Sequence, residues 1–343
     1  MHGRVKKEKP PSDAEIESDR KKSTMYNKLM DIVFACRAKK EHSAAILELT
    51  SKVLKTNPDV YSIWNFRREI FLDLNSGVPG VSQEAPPTAG KVPQEVSKDI
   101  VEVELALSTE AIKKNSKSYG AWYHRVWICD RFEVDVDAEL ALCKLFLTYD
   151  QRNFHCWNYR RYLVSMANVS HPSEFQFSTD KISENFSNYS AFHHRSVYIS
   201  SLVLDSSTQE ANQLLFEEEF SIIENAVFTE PDDQSAWWYY HFLLKFSVQK
   251  LSLDTMWLDS ELRRQSETLD SLLEVEPSSK WCMLAKIFLT STLLELVISG
   301  GGDADGRQLL EDERLRMTEG LCTLDPAHIN RYRYMLKSFA ASN

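Results

Sequence analysis

Aromatic and apolar residues recur at helical spacing in five similar stretches of this 343-residue chain. Counted from the polar first residue of each stretch, position +4 is aromatic in four copies and position +7 is Trp or Phe in all five. Position +10 is Arg in four of them. Intervals of three and four residues keep side chains on one face of an α-helix, so each stretch predicts a helix with an aromatic stripe. The copies begin at Asn57, Asn115, Asp150, Asn185 and Glu230.

Helical patterns also fill the segments between the copies. In residues 137–149, for example, Leu140, Cys143 and Leu147 share one side of a helix. Each repeat is therefore a helix, a short turn and a second helix that begins with the aromatic motif. Such a pair buries its apolar faces only by stacking on its neighbours. We predict an all-α fold, a right-handed α-solenoid or crescent of stacked antiparallel helix pairs, with further pairs around 276–296 and 325–340.

Three segments interrupt this pattern. The charged residues 1–23 predict a mobile N-terminal tail. Residues 76–97 are rich in Pro, Gly and Ser and predict a disordered insertion, and residues 299–306 predict a shorter flexible loop. The remaining chain, 24–343, is predicted to form one helical-repeat domain.

Composition narrows the class of protein. A net charge of −10 disfavours nucleic-acid binding, which needs a basic face. The six cysteines are scattered without a close pair, as in reduced cytosolic proteins. No apolar run reaches the roughly 18 residues that a membrane span requires, and the N-terminus lacks an apolar signal segment. We expect a soluble, cytoplasmic protein without membrane insertion.

Most of the motif is explained by packing. The aromatic residue at +7 suits the core of a helical repeat. The Arg at +10 can stack on aromatic rings and bridge to an acidic residue of a neighbouring repeat. The histidines, including His124, His155, His193 and His194, are interpreted as core or hydrogen-bonding residues, because no set of three or four converging zinc ligands accompanies them.

Position +2, in the turn before the second helix, varies in a way that packing does not explain. Equivalent turns lie along one rim of a solenoid, so the basic members in copies two and three should be neighbours, with Tyr119 close to Lys117. The helix start adds backbone N–H groups and a positive dipole end. This pattern indicates an anion site suited to phosphate; the alternative is that surface turns carry basic residues by chance. The +2 residues are Asp59, Lys117, Arg152, Ser187 and Asp232.

The longer motifs carry a family resemblance. "NSKSYGAWYHRVW" at 115–127, "DQRNFHCWNYRRY" at 150–162 and "NFSNYSAFHHRS" at 185–196 resemble the repeats of protein prenyltransferase α subunits, and most closely those of Rab geranylgeranyltransferases. The resemblance implies helical hairpins that surround a β subunit, which carries the catalytic zinc and most of the isoprenoid pocket. It also implies that Lys117, Tyr119 and Arg152 reach the diphosphate of the lipid donor.

The resemblance further implies a function. With its β subunit, such a chain supports transfer of geranylgeranyl from geranylgeranyl diphosphate to C-terminal cysteines of Rab GTPases that a Rab escort protein presents. His2 is a weak candidate for contacting the partner's zinc, and the chain itself is expected to hold no metal. Two alternatives stay open: the α subunit shared by farnesyltransferase and type I geranylgeranyltransferase, and a tetratricopeptide-like scaffold, although that repeat's "WxxLGxxY" pattern is missing.

Overall fold

The computed structural model describes residues 12–74, 94–205, 208–251, 255–300 and 304–341, and these ranges contain helices and turns but no strand. The first seven helices lie in unit 1, which is Met1–Ala167. They are α1 (Asp13–Ala38), α2 (Ala44–Thr56), α3 (Tyr61–Leu74), α4 (Gln94–Lys114), α5 (Tyr119–Arg131), α6 (Val136–Tyr149) and α7 (Phe154–Ala167). Those of unit 2 are α8 (His171–Glu184), α9 (Tyr189–Asp205), α10 (Gln209–Thr229), α11 (Gln234–Leu251), α12 (Thr255–Val275), α13 (Lys280–Ser299), α14 (Ala304–Leu324), a 3-10 turn (Pro326–His328) and α15 (Ile329–Ala341).

The helices divide into two compact units, Met1–Ala167 and Asn168–Asn343, where the sequence predicts one continuous repeat domain. Within each unit, consecutive helices pack as pairs: α2–α3, α4–α5 and α6–α7 in unit 1, and α8–α9, α10–α11, α12–α13 and α14–α15 in unit 2. The second helix of each of the five motif-bearing pairs begins at position +4 of the motif. The predicted all-α repeat fold is confirmed, and so are the helices predicted near 276–296 and 325–340.

Three boundaries differ from the prediction. Helix α1 begins at Asp13, so residues 13–23 are helical and do not belong to a tail. A capping box starts this helix: the Ser12 hydroxyl accepts from the Glu15 N–H, and the Glu15 carboxylate accepts from the Ser12 N–H. Residues 94–97 of the predicted insertion already belong to α4, and residues 304–306 of the second predicted loop belong to α14. His2, residues 76–93 and residues 301–303 lie outside the described residues.

The aromatic residue at +7 is buried in every copy, which confirms its interpretation as a core residue. Each Trp at this position also donates its indole N–H to the carbonyl of the +1 residue in its own turn, as Trp64 does to Pro58 at 2.8 Å and Trp157 to Gln151 at 2.9 Å. Phe192 has no such donor. The Trp therefore fills the core and fixes the turn that precedes its helix.

In three copies, the Arg at +10 forms a buried ion pair with the first helix of the next pair. These ion pairs are Arg67–Glu104, Arg125–Glu139 and Arg195–Glu219. The predicted bridge to a neighbouring repeat is confirmed.

Two repeats use other groups at this place. In the fifth copy, the Tyr240 hydroxyl donates to Gln265 at 2.6 Å. In the following pair, the ammonium of Lys286 lies 2.7 Å from Asp270 and 3.2 Å from Glu313. In these repeats too, the buried polar group at this position has a polar partner, although the residue types of the two partners change from repeat to repeat.

Contrary to the expectation from uninterrupted apolar runs, one described helix, α13, is long and apolar enough to cross a membrane by length and composition, with a mean hydropathy of 1.7, although Lys286 and Glu295 interrupt it. Half of the most apolar 18-residue segment of this helix is buried inside the structure. Its Lys286 is buried and paired with carboxylates of α12 and α14. These contacts are those of a core helix packed between its neighbours.

Candidate anion site on the turns of unit 1

The turns before α5 and α7 share one local hydrogen bond, which involves the backbone N–H of the +2 residue. The first residue of each turn uses a side-chain oxygen to accept the backbone N–H of the +2 residue, Asn115 from Lys117 at 3.1 Å and Asp150 from Arg152 at 3.2 Å. This is the Asx turn that Asn and Asp form readily. The side chains of Lys117 and Arg152 take no part in this bond, and both are exposed.

Hydrogen bonds join successive turns of unit 1. The Asn153 side-chain amide donates to the Ser116 carbonyl at 2.9 Å, and the Ser118 hydroxyl donates to the Pro58 carbonyl at 2.8 Å. The Asn115 amide also donates to Asp59 at 2.7 Å. The three turns of unit 1 therefore lie in sequence order beside one another, as the rim hypothesis predicts for this part of the chain.

The site contains an acidic residue that the sequence analysis overlooked. The Lys117 ammonium lies 3.8 Å from the Asp150 carboxylate, and the two side chains are 45% and 35% exposed. An exposed pair at this separation is weak, at about 0–1 kcal/mol. The ammonium is therefore held near the neighbouring turn without being neutralised or removed from solvent, and an incoming anion of higher charge can displace the carboxylate.

Tyr119 is the first residue of α5 and remains 58% exposed. Its ring packs edge-on against the His155 ring, with centroids 4.3 Å apart, and lies 5.9 Å from the ring of Phe154. Two residues of α7 thus position an aromatic side chain of α5, and this contact brings the start of both helices to one place.

His155 is the buried residue against which the Tyr119 ring packs. It is 7% exposed and stacks on Trp122 with an angle of 12° between the ring planes. Burial lowers the pKa of His155 and the Lys117 charge lowers it further, against a hydrogen bond to the Lys117 backbone. Its Nε2 is buried with no partner among the described residues. These features fit a neutral imidazole whose other nitrogen donates to the Lys117 carbonyl. One signal was available in the sequence: position +5 is Ser or Gly in the other copies.

In the second copy, position +5 is Gly120, which allows a close approach. A Cβ at this residue would lie 2.5 Å from Cδ1 of Trp64. The start of α5 can therefore pack directly on the core tryptophan of the preceding pair, which places Lys117 and Tyr119 relative to the first repeat.

Lys117 and Tyr119 both approach the third turn and the start of α7, and the exposed Arg152 belongs to that same turn. The two helices that start here direct their positive dipole ends towards the same turns. Such an arrangement can bind a phosphate-bearing group and stabilise charge that develops on it.

The described residues contain no group of three or more His, Cys, Asp or Glu side chains that could hold a metal ion.

The repeats of this chain match a known family of protein repeats. The family described as "Protein prenyltransferase alpha subunit repeat" matches residues 44–74, 101–132, 136–167, 171–202 and 216–247. These five matches fall on the helix pairs from α2–α3 to α10–α11. The geranylgeranyl transferase type-2 subunit alpha of Saccharomyces cerevisiae is 30% identical over 333 residues, which is 93% of this chain and 93% of that protein. The chain belongs to the protein prenyltransferase α subunit family.

Longer relatives share this prenyltransferase α subunit core. The geranylgeranyl transferase type-2 subunit alpha of Rattus norvegicus is 38% identical over 252 residues, which cover 71% of this chain but only 42% of the rat protein. The chain thus spans less than half the length of the mammalian relatives that it matches. A solved structure of Candida albicans protein geranylgeranyltransferase-I complexed with GGPP covers 98% of this chain with a TM-score of 0.64 and 18% identity, which shows the same fold. The tetratricopeptide-like alternative finds no support in these matches.

Proposed function

We propose that this chain is the α subunit of a heterodimeric geranylgeranyltransferase type II. With a β subunit, it supports transfer of the geranylgeranyl group from geranylgeranyl diphosphate to C-terminal cysteines of Rab GTPases, which an escort protein presents in the cytoplasm. The observation that carries the proposal is the end-to-end match to the yeast type-2 subunit alpha. The exposed cationic turns of unit 1 support it independently.

In the proposed reaction, the cysteine sulfur forms a bond to C1 of the lipid and the bond from C1 to the diphosphate oxygen breaks. Both electrons of the broken bond leave with diphosphate, so negative charge grows on that group. Cations already in position stabilise this charge more in the transition state than in the ground state. Lys117 and Arg152 are assigned this role, and the Tyr119 hydroxyl is assigned a weaker, neutral hydrogen bond.

The zinc of the reaction belongs, in this proposal, to the β subunit, as the family resemblance implies. His155 is assigned a positioning role, because it contacts the Tyr119 ring and the Lys117 backbone.

Single-turnover prenyl transfer by the heterodimer tests the role of the turns. Lys117→Ala should lower the chemical rate by about ten- to a hundredfold, or about 1.4 to 2.7 kcal/mol, with a smaller effect on donor affinity. Arg152→Ala should act in the same direction, and Tyr119→Phe more weakly.

Lys144→Ala is the matched control, because Lys144 is an exposed lysine on α6 and should have no effect on the rate. Asp59, the equivalent residue of the first turn, is unsuitable as a control because it bonds to Asn115. Equal rates for Lys117→Ala and Lys144→Ala would show that the basic turns do not contact the diphosphate.

Co-expression tests the wider assignment. The chain with a type II β subunit should transfer geranylgeranyl to a Rab tail only when escort protein is present. Transfer to a peptide ending in a CaaX motif, with a farnesyltransferase or type I β subunit, would instead assign the shared α subunit.

A further inference from the structure

Unit 2 contains a cavity of about 390 Å³ between α11, α13 and α15. This volume falls in the range of about 300–1,000 Å³ that is typical of small-molecule sites. Most of the wall is apolar or aromatic, and α15 closes it with Met335 and Phe339. Trp238 of α11 and Trp281 of α13 also line the cavity. A cavity with such a wall favours an apolar chain or ring.

The polar groups of the cavity are few and of one sign. None of the described lining residues is acidic, and Arg331 contributes a guanidinium at the edge. The Arg331 side chain is exposed and makes no hydrogen bond or ion pair with the described residues. Burial lowers the pKa of the lining residue His241, and the charges of Lys245 and Arg331 lower it further, so a positive potential acts at this edge of the cavity.

The interior offers little to a second polar group. The Trp237 indole N–H is already donated to the Pro231 carbonyl at 2.7 Å, and the His241 ring packs on Phe288 with centroids 4.4 Å apart. An apolar body can therefore pack on the ring faces that line the cavity, and Arg331 is the group in the lining that attracts a charged end.

We propose that this cavity binds a small amphipathic anion, with an apolar chain or ring between α11, α13 and α15 and a carboxylate or phosphate at Arg331. The site lies wholly within unit 2 and does not use the turn residues Lys117, Tyr119 and Arg152. It is therefore independent of the proposed prenyl transfer.

The test uses decanoate as the probe and the full chain labelled with ¹³C at its methionine methyl groups. Decanoate should shift the methyl resonance of Met335, which lines the cavity. Met256 lies on α12 with 85% exposure, and its methyl should not move. Decyltrimethylammonium has the same chain length and the opposite charge, and it should bind at least about threefold more weakly.

Two variants assign the effect to the cavity. Arg331→Gln should weaken decanoate binding by about three- to tenfold, as expected for loss of one exposed charge-assisted contact. Arg333→Gln, two residues along the same helix and outside the lining, should change nothing. Ser291→Trp places a large ring in the cavity and should abolish the Met335 shift.

Three results would overturn the proposal: no movement of the Met335 methyl with decanoate, equal binding of the two head groups, or equal binding by Arg331→Gln and the parent chain. A Met335 shift that occurs only on adding a β subunit, and never with decanoate, would show that a protein fills the cavity instead.

Discussion

Removal of the buried arginine at +10 should destabilise unit 1 far more than the loss of any surface ion pair. Arg125 is 2% exposed. Its Nε and one Nη donate to the two oxygens of Glu139, each at 2.6 Å. The other Nη donates to the Leu105 carbonyl and to the hydroxyls of Ser108 and Thr109, at 3.0, 2.9 and 2.9 Å. One side chain therefore connects α4, α5 and α6.

Arg125→Met keeps most of the volume and removes these donors. Glu139 would then stay buried with the Tyr159 hydroxyl as its remaining hydrogen-bond partner among the described residues, at 2.6 Å. Breaking a buried pair on one side costs about 3–5 kcal/mol, which is a large part of the 5–15 kcal/mol that stabilises an ordinary domain. The double variant Arg125→Met with Glu139→Leu removes the stranded charge as well. We expect it to be more stable than the single variant by about 2 kcal/mol, with the rest of the loss arising from the buried Tyr159 hydroxyl, which loses Glu139 as its acceptor.

Urea unfolding followed by circular dichroism, together with amide hydrogen exchange of α5, measures the effect. The matched control is Arg263→Met, which breaks an exposed ion pair with Asp259 four residues away and should cost under about 0.5 kcal/mol. The reasoning is refuted if Arg125→Met costs no more than Arg263→Met, or if the double variant is less stable than the single one.

Two further substitutions test the packing around the first two repeats. Gly120→Ala should cost about 1–3 kcal/mol in the free energy of unfolding, because the new methyl group would lie 2.5 Å from the buried ring of Trp64; a melting temperature equal to that of the parent would contradict this. His124 is fully buried and its Nε2 donates to Glu104 at 2.8 Å. Burial lowers the pKa of His124 in the folded protein, so below about pH 6.5 the unfolded chain binds a proton that folded His124 does not, and stability is lost as the pH falls. His124→Gln keeps a donor for Glu104 without titrating, so the stability of the variant should fall less steeply than that of the parent between pH 7 and 5, by up to about 1.4 kcal/mol per pH unit; parallel pH profiles would show that His124 does not titrate on unfolding.

The repeat and its helix starts could be predicted from the sequence because the signals are local. Spacings of three and four residues fix which side chains share a face, and the +4 residue begins the second helix in every copy. The same signal was overlooked at the N-terminus. The stretch Ser12 to Glu15 has the spacing of a capping box, but the surrounding charge favoured a tail. Local capping and side-chain pairs such as Glu17–Lys21 explain a helix there despite little burial.

The contacts of the candidate site could not be predicted in the same way, because they join residues of different turns. The Asp150 carboxylate approaches Lys117 only because the turns of the second and third copies are adjacent. The support from His155 depends on the same adjacency. The sequence identified which residues carry charge, and the distances between helix pairs determine which of them meet.

The structure also gives a physical reason why position +2, of all positions in the motif, can carry chemistry. The residue at +7 packs in the core, and the residue at +10 forms a buried polar pair. The residue at +3 links successive turns by a hydrogen bond, as Ser118 and Asn153 do. At +2, the turn uses the backbone N–H alone: Asp59, Lys117, Arg152 and Ser187 each donate it to the first residue of their copy, at 2.9 to 3.2 Å. Any side chain satisfies that backbone requirement, so the turn itself does not select the residue at +2, although the Asp59 carboxylate also accepts from Asn115 of the next turn. An acid, two bases and a hydroxyl can therefore follow one another along otherwise similar turns, and a change at Lys117 or Arg152 should alter what the turn binds while leaving the repeat intact.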